Sequence, residues 1–269
     1  MSKIAIIIPI FNEGDKLKKC LAAIENQQYK NVTIYFRDNN QDNILFTAAI
    51  NEGIRKYYLD TDVDFVLLLN QDAYLKENTL ATLVKFMQEN PKCGIASPVQ
   101  IAENGRVTWA GSLQAFPFGV HNCDPSVLSK PPSETYWANG ACMLVRMHAI
   151  REIGLLDQNM RFICSDGDYS FTMRSRNWKV YVVPNAVVQH ALEGSGANTN
   201  VWLNTVKLQD AYYFAKKWLN GQLYKELSYE GPQLTRLGIK SAIEKFERAI
   251  NLALLTCAIK RVKNCSRFR

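Results

Sequence analysis

The chain has 269 residues and a mass of 30.6 kDa, with 47% apolar and 21% charged residues. A sizeable core can therefore be buried, and global disorder or a collagenous chain is excluded. The net charge of +7 is unevenly placed: residues 1–200 carry 19 Lys+Arg against 20 Asp+Glu, whereas residues 201–269 carry 13 against 5, a step that predicts an organisational boundary near residue 200.

In chain order, Ile4–Pro9 is a continuous β-branched run, the pattern of a buried parallel strand. Asn12 to Asp15 offers N-cap chemistry for a helix carrying Leu17, Cys20, Leu21 and Ile24 at helical spacing. Val32–Phe36 predicts a second strand, closed by the polar cluster Asp38–Asp42, and a second helix is expected from Thr47 to Tyr58. Phe65–Leu69 predicts a third strand, ending at Asn70-Gln71-Asp72. Leu80, Leu83, Val84 and Met87 then mark a third helix that stops at Asn90-Pro91.

From Gly94 to Val183 the pattern is irregular, and Pro117, Pro125, Pro131 and Pro132 predict a long mobile loop. Strands are expected at Gly140–Met147, Val180–Val183 and Val187–His190, with a short helix from Ile150 to Leu156. Trp202 to Trp218 is helical in pattern. Ile239, Ile243, Phe246, Ile250, Ala253 and Cys257 define a later amphipathic helix, which ends in Lys260, Arg261, Lys263, Arg267 and Arg269.

No apolar run approaches the roughly 18 residues of a membrane-spanning helix, and Met-Ser-Lys is a poor signal-peptide start, so a soluble, cytoplasmic protein is expected. The seven cysteines are scattered with no CxxC pair, which argues against a zinc knuckle or a disulfide framework. Dinucleotide, P-loop and hydrolase-elbow fingerprints are also absent. Alternating strands and helices predict an α/β fold with an open, doubly wound sheet, whose ligands sit outside the carboxyl ends of the strands. Those ends carry Phe11-Asn12-Glu13, Asp38-Asn39-Asn40 and Asn70-Gln71-Asp72. Acidic residues there suit a metal-bridged diphosphate, because a hard cation takes carboxylate oxygens and keeps water or phosphate as its other ligands. A turn aspartate is the structural alternative for Asp72.

IAIIIPIFNE, RDNNQDN, FVLLLNQDA, NGACMLVRMHAIREIGLLDQNM, SDGDYSFTMR and VPNAVVQH occur in this order between about residues 3 and 196. In this respect the chain resembles the inverting, GT-A-fold glycosyltransferases of family two, within them the rhamnosyltransferase-like branch. The resemblance implies a GT-A catalytic domain over residues 1–200, followed by a basic helical segment over 201–269. It implies a nucleotide pocket lined by Pro9, Phe11 and Glu13, with Asp38 reading the base and Asn51 and Gly53 lying against the nucleotide. Asn70-Gln71-Asp72 stands where the family has DxD. Asp72 is kept, the first acid is Asn70, and His190 would complete coordination of Mn2+ or Mg2+. Counting back from Arg174 aligns Asp168 with the acid that deprotonates the acceptor; Asp166, one strand repeat earlier, is the alternative, and Ser170 replaces a second acid.

Inverting sugar transfer is one in-line displacement, needing a base for the acceptor hydroxyl and stabilisation of the departing diphosphate. The expected partners are a UDP- or dTDP-sugar donor and a surface polysaccharide or lipid-linked glycan acceptor, with no nucleic acid. Trp109 and Trp137 are candidates for stacking on an acceptor sugar, core packing being the equal alternative. Gly194-Ser195-Gly196-Ala197 suits either a closing loop or a plain linker. The basic C-terminus suits peripheral contact with an anionic membrane, or an ordinary solvated helix face. Two rival functions stand beside this reading: a nucleotidyltransferase, and a catalytically silent binding module of the same fold.

Overall fold

The computed structural model describes residues 1–12, 14–114, 120–190 and 201–218, with 244, 247, 248, 251, 252, 254 and 255. Glu13, Pro117, the Gly194–Ala197 segment and the basic cluster from Lys260 onward lie outside the described residues, as do all six apolar positions of the amphipathic pattern from Ile239 to Cys257. The elements run β1 (Lys3–Ile10), α1 (Asp15–Glu25), β2 (Val32–Asp38), α2 (Leu45–Tyr57), β3 (Val63–Leu69), β4 (Ala73–Leu75), α3 (Thr79–Glu89), β5 (Cys93–Ile101), β6 (Val107–Trp109), β7 (Ser112–Gln114) and β8 (Val120–His121). They continue with β9 (Ser133–Glu134), β10 (Cys142–Arg146), α4 (Met147–Ile153), α5 (Ser165–Ser175), β11 (Lys179–His190) and α6 (Val201–Trp218).

The main sheet is mixed, in the order β2-β1-β3-β10-β5-β11-β4, with β6 and β9 added to β5 and β11. β2, β1 and β3 are parallel, as are β5 and β11, whereas β10 is antiparallel to both its neighbours. Successive β1 residues face opposite sides. Ile4, Ile6 and Ile8 join Cys20, Ile24, Leu80, Leu83 and Met87 in a layer with α1 and α3. Ala5 and Ile7 meet Ile50, Ile54, Met147, Ile150, Tyr169 and Met173 from α2, α4 and α5. A third core gathers Val99, Trp109, Trp137, Phe171, Val182 and Trp218. Because Trp218 ends α6, the charge step near residue 200 does not coincide with a break in packing for residues 201–218.

Several local expectations are corrected. The Asn12–Asp15 segment makes no side-chain cap on α1. Asn12 instead takes a left-handed conformation, and its N–H is received by Asn40 Oδ1 at 2.9 Å, tying the end of β1 to the loop after β2. The irregular region from Gly94 contains a central strand, β5, disguised by Gly94 and Pro98. Proline cannot donate to a sheet ladder. Here the β11 register breaks between Val183 and Val187, opposite Pro98 and Val99, and the bulge holds Pro184. Two expected strands are thus one bulged strand. The proline-rich stretch contains a 3-10 turn, Pro125–Ser129, capped by Asp124, and β9 follows Pro131-Pro132.

Gly53 sets how closely α2 approaches β1: a Cβ there would stand 2.6 Å from Ile7 Cγ2. Gly53→Ala gains about 1 kcal/mol of helix propensity, but overpacking against a stiff, buried β-branched side chain costs about 1–3 kcal/mol. Urea denaturation is expected to show a net loss of up to about 2 kcal/mol, reduced in an Ile7→Ala background.

Candidate functional site

The three strand ends are bound to one another by side chains acting on backbone. Gln71, just past β3, accepts from Phe11 N through Oε1 at 3.0 Å and donates from Nε2 to Phe11 O at 2.5 Å. This reciprocal pair extends the β1–β3 contact beyond the sheet and commits one donor and one acceptor of the Gln71 amide to the Phe11 backbone. At the end of β2, Asp38 is exposed and accepts from Asn40 N at 2.8 Å. Arg37 beside it holds Asp42 and Glu52, each at 2.9 Å. Pro9 is half-buried within β1, and Phe11 remains 45% exposed at its end.

Asp72 and His190 are brought together by strand pairing. β4 begins directly after Asp72 and runs antiparallel to the end of β11, placing His190 opposite Ala73. Asp72 Oδ1 lies 3.4 Å from His190 Nε2, and Asp72 Oδ2 lies 3.5 Å from Lys16 Nζ. Burial works to raise the Asp72 carboxyl, but His190 and Lys16 outweigh it and hold it below the ordinary carboxylate range. His190 Nδ1 is buried with no hydrogen-bond partner among the described residues.

A carboxylate and an imidazole are a suitable donor pair for a divalent ion. Adjacent ligands of an octahedral ion with bonds of about 2.1 Å stand about 3 Å apart, so the observed gap fits after a small adjustment. Among the described residues no third His, Cys, Asp or Glu joins them.

Of the two acids of α5, Asp166 is tied to the same edge. Asp166 Oδ2 accepts from Gly140 N at 2.9 Å, and Oδ1 accepts from Gly167 N at 2.8 Å. Ala141 O in turn accepts from Asn70 N at 2.9 Å. The first turn of α5 is therefore linked through the Gly140-Ala141 segment to the end of β3, two residues from Asp72. Ser170 Oγ donates to Asp166 O and accepts from Ala138 N at 3.0 Å, fixing the same segment. Burial pushes the Asp166 carboxyl up, and the Gly140 and Gly167 N–H groups pull against it. Asp166 and Asp168 lie in the opening turn of a helix, not a strand, so they do not share a face. Asp168 is buried. Its Oδ1 receives Trp218 Nε1 and lies next to Lys217 Nζ, both at 2.7 Å. Burial pushes its carboxyl up, and Lys217 and Trp218 pull it partway back.

Four expected contacts are corrected. Asn51 is buried, and its amide is engaged by Leu156, donating to Leu156 O at 2.8 Å and accepting from Leu156 N at 2.9 Å. Gly53 faces Ile7 in the core. Trp109 is fully buried and Trp137 is 9% exposed, their rings 6.1 Å apart in the third core. Neither offers an open face to a sugar. Pattern reasoning missed Lys16, Lys217 and Trp218 as partners of the candidate acids, since these contacts span large sequence separations with no motif to announce them.

Residues 45–209 match a family described as "Glycosyltransferase like family 2", and residues 5–46 match "Glycosyl transferase family 2". No curated protein matches the chain. Among solved structures, GalNAc-T7 with UDP, GalNAc and Mn2+ is similar at 14% identity and a TM-score of 0.57, over 93% of this chain and 55% of that one, so this chain spans about half its length. The mannosyltransferase PcManGT from Pyrobaculum calidifontis, with GDP-Man and Mn2+, is similar at 15% identity and a TM-score of 0.53, over 98% and 75%. TarS 1-349 of S. aureus, with UDP-GlcNAc, is similar at 13% identity and a TM-score of 0.58, over 91% and 71%.

Asn51→Ala would strand the N–H and C=O of Leu156 in the core, at a cost of about 2–4 kcal/mol. Denaturation should show that loss, while titration calorimetry at a temperature where the variant is folded should find nucleoside diphosphate affinity unchanged.

Proposed function

This chain belongs to glycosyltransferase family 2 and has its GT-A fold, and on that premise we propose that it is an inverting glycosyltransferase moving a hexose-type sugar from a nucleoside-diphosphate donor to an acceptor hydroxyl. One observation carries the reading. The start of α5, which carries Asp166 and Asp168, is linked through Asp166, Gly140, Ala141 and Asn70 to the end of β3, two residues from the Asp72 that faces His190. A diphosphate clamp and a proton acceptor are the two groups that a single displacement needs.

Asp72 and His190 would hold a divalent cation, Mn2+ or Mg2+, in keeping with the Mn2+ in the GalNAc-T7 and PcManGT structures. When bound, such an ion supplies Lewis-acid stabilisation of the leaving diphosphate. Lys16, beside Asp72, adds a cation at that end. Exposed Asp38 is the acceptor available to a base N–H, and Phe11 the exposed ring at the same rim.

Asp168 takes the acceptor's hydroxyl proton as that oxygen bonds to the anomeric carbon. The bond to the diphosphate breaks with its electron pair on the leaving oxygen. Asp166, with both oxygens received by backbone N–H groups, fixes the Gly140 segment and is the weaker candidate for the base. The acceptor in this reading is a surface polysaccharide or lipid-linked glycan. The excess of Lys+Arg in residues 201–269, 13 against 5 acids, supports contact with an anionic membrane surface.

A thermal-shift panel of nucleoside diphosphates with and without Mn2+ tests the reading, since a specific ligand raises the melting temperature by mass action. One diphosphate is expected to stabilise only with Mn2+, and Asp72→Ala should abolish that increment; identical shifts with chelator present would contradict it. Asp168→Asn is expected to lower turnover by about 10²–10⁴-fold with donor binding retained. Below neutrality, wild-type turnover should fall with an acid limb above the usual carboxylate range, because the carboxyl must lose its proton to act and burial raises it.

A further inference from the structure

The last two residues of α6 both reach back to Asp168, and both address the same oxygen. Lys217 Nζ and Trp218 Nε1 each lie 2.7 Å from Oδ1, whereas Oδ2 takes no hydrogen bond from any described residue. Neither partner is a loose surface side chain. Lys217 also meets Asp157 Oδ2 at 2.9 Å, and the Trp218 ring packs edge-on against Phe171 with centroids 5.5 Å apart. The helix is anchored farther back by fully buried Asp210, whose Oδ2 accepts from Phe162 N at 2.7 Å and Ile163 N at 3.1 Å, just before α5 begins.

A buried carboxylate without a cation takes up a proton and is lost as a base. A carboxylate whose two oxygens each take two donors has no lone pair free for the acceptor. Saturating one oxygen with a cation and an N–H keeps the group ionised, fixes its plane and leaves the other oxygen open. Lys217 and Trp218 also lie beyond residue 209, where the family match ends.

We infer that Lys217 and Trp218 are positioning residues for the acceptor-deprotonating Asp168, contributed by the C-terminal helix of this chain. The inference rests on the reading of Asp168 as the base. The acceptor proton then goes to Oδ2, while Oδ1 keeps both bonds to α6. The charged and titratable groups around Asp168 are Lys217 from α6, Asp157 from the segment before α5, and Cys164 and Asp166 at the start of α5 itself. Of these, Lys217 alone favours the ionised form.

The test is the pH profile of turnover by the full chain at saturating donor, for wild type, Lys217→Met, Lys217→Arg, Trp218→Phe and Asp168→Asn. Diphosphate-induced thermal shift serves as the control for folding. Lys217→Met is expected to move the acid limb up by about one pH unit, a tenfold loss on the limb with little loss on the alkaline plateau. Lys217→Arg should restore most of the shift, and Trp218→Phe should move the limb the same way by less. Equal loss at every pH, an unmoved limb, or higher turnover, as when a blocking latch is released, would overturn the inference while leaving the base assignment intact. Wild-type turnover in Asp168→Asn would overturn the base assignment itself, and this inference with it.

Discussion

The site depends on a short antiparallel pairing between two ends of the sheet. β4 is only three residues long, yet its register against β11 sets Ala73 opposite His190 and so places Asp72 within 3.4 Å of the imidazole. Backbone hydrogen bonds in a ladder leave no freedom to slide, because a one-residue slip turns every side chain to the other face. The pairing works as a ruler. It fixes the distance between an acid and an imidazole from residues more than a hundred positions apart, and His190 Nδ1 is buried with no hydrogen-bond partner among the described residues.

Around this pair, polar side chains serve mainly to hold backbone. Gln71 binds the end of β1, Asn51 binds Leu156, Asp166 and Ser170 bind the Gly140 and Ala138 amides, and Asp210 binds the approach to α5. Loops at the carboxyl end of a sheet cannot satisfy all their N–H and C=O groups through ladders, and buried orphans are expensive. Carboxylates and amides committed in this way give a rigid rim. In the proposed function, that rigidity would let Asp38, Asp72, His190 and Asp168 act on a ligand without first being ordered by it.

Much of this was legible in the chain itself. The β-branched run at Ile4–Pro9 and the apolar steps of α1, α2 and α3 follow from burial on one or both faces, and the family resemblance singled out Asp72 and His190, which the β4–β11 pairing brings within 3.4 Å. The central strand β5 was illegible because Gly94 and Pro98 argue locally against a strand, and only the bulge in β11 reconciles Pro98 with the sheet. Asn51, Gly53 and Trp109 match the motif or the chemistry of a binding residue, but packing decides their use. A Cβ would collide with Ile7 at Gly53, and Trp109 has no face left open. The Lys217–Asp168 contact has no signature at all, since it depends on where a helix from another part of the chain comes to rest.

The central claim is that Asp72 and His190 together grip the cation that accompanies the nucleoside diphosphate. Pulsed electron paramagnetic resonance of Mn2+ in complex with the protein and a stabilising nucleoside diphosphate reads the ligands directly. The account predicts modulation from a single imidazole nitrogen that disappears in His190→Gln, with phosphorus coupling retained. Mn2+ carrying phosphorus coupling but no histidine nitrogen in the wild-type complex would contradict it.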